Sequence, residues 1–187
     1  LALLAFRNEQ KQDFGLAMAM ITSLEAKAGD VTGVVTAENL KRYPLPWKIT
    51  DLHWRFSLDP EDRGATEKWH EQPWDAKMKW TLLRTDYSWK APHEPPPQIA
   101  NTLRTYEGIG WYATQIEIPE AMRGREVYLY FGAVDNSCWV YVNGRPAGEH
   151  LFQKPDDWST PFEIRIDPFL TAEGGKQEIT VRVRNKG

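Results

Sequence analysis

Apolar and polar residues alternate through much of the second half of the chain, and a period of two indicates β-strands with two unlike faces. Three such runs occupy residues 112–118, 127–131 and 138–142. Asn143-Gly144 follows the third run, and this dipeptide favours the type I′ turn, whose two central residues both need positive φ angles. Residues 145–150 are therefore predicted to return as the second strand of a hairpin.

Similar runs elsewhere extend this pattern into a complete sandwich. Residues 52–58, 162–166 and 177–184 also alternate, and residues 79–83 favour one more short strand. Loop-forming residues separate these runs, for example at residues 59–64. About eight antiparallel strands with long connections predict an all-β fold, and they fit a jelly-roll β-sandwich better than a simple meander.

The beginning of the chain differs in character from the rest. Residues 13–28 are rich in Ala, Leu and Met, which favour a helix. Pro44 and Pro46 then favour extended backbone. We therefore predict an N-terminal helix and connector over residues 1–46 and the sandwich domain over residues 47–187. The chain begins at Leu1 rather than Met, which suggests a piece of a longer protein.

Charge and composition argue against several functional classes. The net charge is −3 and the sequence has no basic tract, so nucleic acid is a poor candidate partner. No apolar run approaches the ~20 residues that a transmembrane helix needs, so no transmembrane segment is predicted. Cys138 is the single cysteine, which excludes an internal disulfide, and its position on an apolar strand face predicts a small buried residue. The common catalytic motifs, such as a nucleophile elbow or a P-loop, do not occur in the sequence.

Tryptophan offers the clearest candidates for binding, because its ring either fills a core or grips sugar rings and apolar partners. Residues 69–97 form an irregular stretch that is rich in Trp. Its rings either seal the end of the sandwich or line a binding surface. The binding candidates in this stretch are Trp69, Trp74 and Trp89.

The loop at residues 151–161 carries a second group of candidates. Trp158 follows Asp156 and Asp157 directly, so one loop offers an aromatic ring and two carboxylates. Neighbouring side chains in an extended chain point apart, so this pair does not form the facing carboxyls of a glycosidase. The two aspartates are either solvated loop residues or contacts for a ligand or an ion, and Trp158 is the first candidate for ring stacking.

Several motifs occur in a fixed order along the second half of the chain. They are Gly-x-Gly-Trp-Tyr at 108–112, Ile-x-Ile-Pro at 116–119, Val-Asp-Asn-x-x-x-Val-Tyr-Val-Asn-Gly at 134–144, Thr-Pro-Phe at 160–162 and Val-x-Val-x-Asn at 181–185. Together they resemble the N-terminal sugar-binding domain of glycoside hydrolase family 2, the β-galactosidase and β-glucuronidase group. The likeness covers roughly residues 52–187. Ala113 stands where family members commonly have Arg.

The resemblance implies a galactose-binding-like jelly roll that carries no catalytic residues of its own. Members of that family hold their catalytic carboxylates on a separate TIM barrel, and 187 residues are too few for both parts. The expected partners are a carbohydrate or glycoside substrate and a catalytic domain of the same parent chain. No cofactor is expected, although a structural calcium ion is compatible with such a sandwich. The likeness slightly favours a periplasmic or secreted location.

Two other functions stay open from the sequence. A structural or protein-interaction sandwich would support a neighbouring domain, with the predicted N-terminal helix as a docking element. An enzyme in its own right would be an esterase or lyase that uses loop carboxylates. Exposed Trp rings would favour carbohydrate binding, an apolar patch on the helix would favour docking, and convergent carboxylates in a deep pocket would favour catalysis.

Overall fold

A computed structural model describes residues 2–6, 53–75, 79–85, 87–90, 92, 95–118, 124, 126–131, 133–171 and 175–186. The predicted helix at residues 13–28 and most of the connector lie outside these residues. The division of the chain at residues 46 and 47 stays a prediction. No helix in the described ranges is long and apolar enough to cross a membrane.

Over the described residues the chain folds into nine β-strands in two sheets, which confirms the predicted all-β sandwich. The strands are β1 (Ala2–Phe6), β2 (His53–Asp59), β3 (Thr81–Arg84), β4 (Gly108–Glu117), β5 (Val127–Phe131), β6 (Ser137–Val142), β7 (Arg145–His150), β8 (Phe162–Arg165) and β9 (Lys176–Asn185). The larger sheet has the order β3-β2-β4-β9-β6-β7, and the smaller has the order β1-β5-β8. All recorded pairings are antiparallel.

The predicted hairpin is present at the edge of the larger sheet. Val142 pairs with Arg145 across a two-residue loop, with φ of 50° at Asn143 and 74° at Gly144. The Asn143 side chain also ties this turn to the last strand, because its Oδ1 accepts from the backbone N–H of Glu178 at 2.9 Å. The turn therefore fixes the register of β6 and β7 and locks them against β9.

The core lies between the inner faces of the two sheets. Cys138, Val140 and Val142 alternate inward along β6, and Leu129 and Ile164 meet them from the smaller sheet. Burial raises the pKa of the Cys138 thiol to about 12, so the thiol stays protonated as the predicted small core residue. Gly148 on β7 allows the sheets to approach, because a Cβ there would lie 2.9 Å from Cγ2 of Ile164.

The outer face of the larger sheet is covered by the segment that follows β2. Trp111 on β4 is fully buried beneath this segment, and its Nε1 donates to Asp59 Oδ2 at 3.0 Å. Arg182 on β9 points outward as the alternation predicts, yet it is also buried. Its guanidinium lies 4.2 Å from the ring centroid of Trp139 and donates to both carboxylate oxygens of Asp62. The last strand is therefore covered on both faces, which the sequence alternation alone did not predict.

Two short elements complete the described chain. The helix α1 (Ala100–Leu103) lies in a stretch where no helix is predicted from the sequence, and it buries Leu103. Residues 69–71, 157–159 and 167–169 form single 3-10 turns. In the last of these turns, the Asp167 carboxylate accepts from the Val127 N–H at 3.3 Å and joins β5 to the segment after β8.

Candidate functional site

The two sheets differ in length, and this difference opens a cleft at one end of the sandwich. β4 and β9 have ten residues each, whereas β5 has five and β8 has four. At ~3.3 Å per residue the long strands extend roughly 33 Å and the short ones roughly 15 Å. The inner face of the larger sheet therefore continues past the smaller one. A cleft of about 730 Å³ lies there, a volume typical of small-molecule sites.

The floor of the cleft, meaning its buried lining residues, is mostly apolar. Its members are Trp54, Trp89, Phe131, Asn136, Val181, Val183 and Asn185. They come from β2, β5, β9 and the segments after β3 and β5, so the core packing of the sandwich holds them in place. Five of the seven lie on strands and the other two pack against them, so the floor is a fixed surface.

Trp89 belongs to this floor, and a close approach to the sheet fixes its position. A Cβ at Gly110 would lie 2.6 Å from Cζ2 of Trp89, so the indole lies directly over this glycine. The ring packs edge-on against Phe56, with centroids 5.6 Å apart. Its Nε1 donates to the hydroxyl oxygen of Tyr112, whose pKa is raised by burial, so the phenol stays neutral and can accept.

The rim of the cleft, meaning its exposed lining residues, combines aromatic rings with charged groups. Trp158 is 51% exposed, Tyr87 is 44% exposed and Phe152 is 41% exposed. Lys90 and Asp135 add one cation and one anion, and neither charge pairs with another group in the described part of the chain. Exposed rings beside uncompensated polar groups are the composition that amphipathic ligands require.

Asn136 places one hydrogen-bond donor on the floor. Only 7% of this residue is exposed, and its Oδ1 accepts from the Lys186 N–H at 2.6 Å. Its own backbone N–H donates to the Arg184 carbonyl at 2.7 Å. The side-chain amide is thereby fixed, while Nδ2 donates to no acceptor among the described residues. Nδ2 is not among the enclosed unpartnered side-chain atoms of the described residues, so it is a donor that a ligand or water in the cleft can reach.

The loop that carries Trp158 is braced by its neighbour Asp157. The Asp157 carboxylate accepts from the N–H groups of Gln153 and Lys154 at 2.7 and 2.9 Å. These backbone hydrogen bonds lower the pKa of Asp157, so the carboxylate is ionised at neutral pH. Ser137 on β6 accepts from the Phe152 N–H at 3.0 Å and ties the loop to the sheet.

The structure thus divides the six predicted site residues. Trp158 and Trp89 line the same cleft, Asp157 braces the loop that carries Trp158, and the exposed Asp156 does not line the cleft. Trp69 and Trp74 lie on the outer face of the larger sheet instead. The Trp69 ring packs 5.9 Å from Trp111, and Arg55 lies 4.4 Å above the Trp74 ring. Direct contact of any of the six with a sugar stays a prediction.

Sequence reasoning missed several residues of the cleft, above all Asn136, Tyr87 and Phe152. Asn136 falls within the family-like motif at 134–144, where it was noted for resemblance but not for chemistry. Phe152 is an apolar residue in the polar loop of Trp158, which was the available signal. No local sequence feature identifies Tyr87, because its place in the cleft depends on residues that are distant in the sequence.

The described residues contain no cluster of three or more His, Cys, Asp or Glu side chains arranged to hold a metal ion. The structural calcium ion that the resemblance allowed therefore stays a prediction with no candidate ligand set in these ranges. Calcium sites are also built from backbone carbonyl oxygens, which a cluster of side chains does not include.

Comparison with known families gives a direct match. The family model for the sugar binding domain of family 2 glycosyl hydrolases matches residues 48–186. The chain belongs to this family. Its β-glucuronidase and β-galactosidase relatives agree with the resemblance seen in the motifs.

Two curated relatives show how this family 2 domain sits within longer proteins. A β-glucuronidase of Paenibacillus borealis is 29% identical over 143 residues, which cover 75% of this chain and 22% of that protein. A β-galactosidase of Clostridium acetobutylicum is 24% identical over 149 residues, which cover 71% of this chain and 16% of that protein. The chain therefore spans about a fifth of the length of the curated relatives that it matches.

Solved structures of family 2 enzymes share the fold. A β-glucuronidase from Ruminococcus gnavus in complex with D-glucuronic acid aligns with a TM-score of 0.59 and 22% identity. The alignment covers 73% of this chain and 21% of that one. At this identity the likeness shows the β-sandwich fold and leaves the ligand of the cleft to be argued from its own residues.

Proposed function

We propose that this family 2 domain holds a carbohydrate in the cleft between its sheets. The observation that carries the proposal is the pairing of a half-exposed Trp158 at the rim with the fixed Asn136 amide on the floor, whose Nδ2 donates to no described residue. One group offers a flat apolar face and the other a fixed donor. A pyranose needs both, because its C–H faces are apolar and its edges carry hydroxyls.

The charged residues of the rim supply the remaining polar contacts. Asp135 accepts hydrogen bonds from hydroxyl groups, and Lys90 donates to hydroxyl or carboxylate oxygens. Both side chains are exposed and need little desolvation before they contact a ligand. Lys90 would favour an acidic sugar and Asp135 would disfavour it, so the pair by itself selects neither galactosides nor glucuronides.

The parent protein in this proposal is a glycosidase, and the domain assists a catalytic domain of the same chain. The relatives named β-glucuronidase and β-galactosidase are several times longer than the region they share with this chain. Hydrolysis of a glycoside requires two carboxyl groups roughly 5–10 Å apart across the scissile bond. Among the described residues that line the cleft, Asp135 is the one acid, so the cleft suits binding rather than hydrolysis.

Fluorescence titration of the 187-residue chain tests the proposal. Trp54, Trp89 and Trp158 all line the cleft, so a bound sugar changes intrinsic Trp emission. The ligand panel is a set of galactosides and glucuronides, and the test variant is Trp158→Ala. Leu82→Ala is the matched control, because Leu82 is also an exposed large apolar residue, at 58%, and does not line the cleft.

We expect a saturable change in Trp emission with at least one sugar. The affinity obtained from it should be weaker in Trp158→Ala and unchanged in Leu82→Ala. A panel that produces no change in the parent chain would reject the proposal. It would favour a scaffold role instead, for which the exposed Leu151, Phe152 and Trp158 provide an apolar surface on one loop. An equal loss of sugar affinity in Trp158→Ala and Leu82→Ala would also reject the cleft as the binding site.

A further inference from the structure

We propose that the cleft takes a glycoside with an apolar, ring-sized aglycone. The aglycone lies on the buried floor, and the sugar lies at the rim against Trp158. The inference rests on the proposed carbohydrate function and goes further, because it assigns the two halves of the ligand to two chemically different parts of one cleft.

The floor is too apolar to accept a bare sugar ring. Trp54, Phe131 and Val181 are almost fully buried and present only carbon surface to the cleft, apart from one indole nitrogen. A pyranose has hydroxyls around its edge, and each one loses a hydrogen bond to water when it moves against such a surface. An aromatic or cycloaliphatic group loses none and gains burial of its apolar area.

The few polar groups of the floor suit the linkage oxygen of a glycoside. Asn185 Nδ2 donates to the Tyr106 carbonyl at 3.3 Å, and Asn136 Oδ1 is occupied by the Lys186 N–H. The Tyr112 hydroxyl already accepts from Trp89. Asn136 Nδ2 is therefore a fixed donor beside apolar side chains, in addition to the Trp54 indole N–H and the Tyr112 hydroxyl, and a glycosidic oxygen is an acceptor that such a donor can bind.

The rim provides the opposite environment. Trp158 gives an exposed ring face, and Lys90 and Asp135 give charges that remain in contact with water. The sugar can stack there and keep most of its hydroxyls hydrated. A volume of about 730 Å³ is large for a site that holds one ring, and it gives room for the sugar and its aglycone together.

Calorimetric titration of the 187-residue chain with matched ligands tests this assignment. The probes are methyl and phenyl glycosides of galactose and of glucuronic acid, with free phenol as the third arm. We expect the phenyl glycoside of the preferred sugar to bind roughly tenfold more tightly than the methyl glycoside, because a phenyl ring buries far more apolar area. Phenol alone should bind more weakly than the phenyl glycoside.

A variant of the floor tests whether the preference for the phenyl glycoside arises there. Val183→Thr keeps the shape of the side chain and adds a hydroxyl to the floor, so it should reduce the phenyl-to-methyl ratio at least about threefold. Val140→Thr is the matched control, because Val140 is buried on the same inner face and does not line the cleft. Thermal unfolding of each variant reports whether it folds, and Phe131→Leu replaces Val183→Thr as the floor variant if the latter does not.

The outcomes separate this inference from the proposed function. Equal binding of methyl and phenyl glycosides would overturn the aglycone assignment and leave carbohydrate binding intact. Phenol binding as tightly as the phenyl glycoside would overturn both, because the sugar would then contribute nothing. A phenyl preference that is unchanged in the folded floor variant would place the aglycone elsewhere and overturn the assignment.

Discussion

The two faces of the larger sheet use the same kinds of residue in opposite ways. On the outer face, Asp59 takes three hydrogen bonds, from the N–H groups of Arg63 and Gly64 and from the Trp111 indole. At the open end of the inner face, the amide nitrogen of Asn136 borders the cleft and donates to no described residue, and Trp158 extends into solvent. The Asp59 carboxylate is therefore paired within the protein, whereas the Asn136 amide nitrogen remains available to a ligand.

Access to ligands, rather than polarity alone, distinguishes the two faces. The outer face also contains buried ring nitrogens without a partner in the described chain, namely His70 Nδ1, Trp74 Nε1 and Trp80 Nε1. His70 stacks 4.1 Å from the Tyr141 ring, and burial lowers its pKa, so it is neutral at pH 7. These atoms are enclosed by side chains, whereas Asn136 borders a cleft. We therefore assign stability to the outer face and binding to the cleft.

The largest expected effect follows from removal of the Asp59 carboxylate. Asp59→Ala leaves two backbone N–H groups and one indole N–H without their acceptor, at an expected loss of about 3 kcal/mol in the free energy of unfolding. Urea unfolding measures this loss. Glu61→Ala is the control, because Glu61 is an exposed carboxylate in the same loop and should change stability by less than about 0.5 kcal/mol. Similar losses in the two variants would contradict the role of Asp59.

A methyl group at Gly110 should displace Trp89, which lines the cleft. Gly110→Ala places a Cβ within 2.8 Å of both Trp89 and Phe56, so the rings must move. We expect an unfolding free energy lower by about 2 kcal/mol and an altered Trp emission spectrum. Unchanged stability together with unchanged emission would show that Trp89 is not fixed over this glycine.

Removal of the exposed ring at the rim should separate binding from stability. Trp158→Ala deletes a side chain that packs little, so its unfolding free energy should stay within about 0.5 kcal/mol of the parent value. Affinity for the preferred glycoside should fall about tenfold, because the stacking face is lost. A stability loss comparable to that of Asp59→Ala would mean that Trp158 belongs to the core.

Acidification should give the smallest effect, at the loop of Trp158. The folded-state pKa of Asp157 is lowered from 3.8, so its contribution is complete above pH 3.8 and is lost as the pH falls through the lowered value. Amide chemical shifts of Gln153 and Lys154 should therefore titrate together below pH 3.8. In Asp157→Asn this titration should be absent. A midpoint above 3.8 would contradict the bracing role of the carboxylate.

The sequence predicts most of the fold because the strands carry their own local signals. Alternation located β4, β6 and β9, and Asn143-Gly144 predicted the hairpin, since positive φ angles at both residues are a local requirement. Burial of Arg182 had no such signal. It depends on Asp62, which is 120 residues away in the sequence, and on the Trp139 ring from a neighbouring strand.

The candidate site was predicted only in part for the same reason. Trp158 was recognisable because an aromatic residue in a polar loop is unusual, and it does line the cleft. Asp157 was a candidate in the same loop, but it has a different role. Its carboxylate accepts a hydrogen bond from a backbone N–H of that loop. Asn136 becomes a candidate only when Lys186, the residue after β9, donates to its side-chain oxygen, which requires the folded sheet.

Chemical-shift mapping with the bound glycoside tests the division between the two faces most directly. In a ¹⁵N-labelled chain, the indole N–H of Trp158 and the side-chain amide of Asn136 report on the cleft, and the indole N–H groups of Trp111 and Trp139 report on the outer face. The account predicts shifts at Trp158 and Asn136 that saturate with one common affinity, while Trp111 and Trp139 stay unchanged. Saturating shifts at Trp111 and Trp139 with an unchanged Asn136 amide would contradict it.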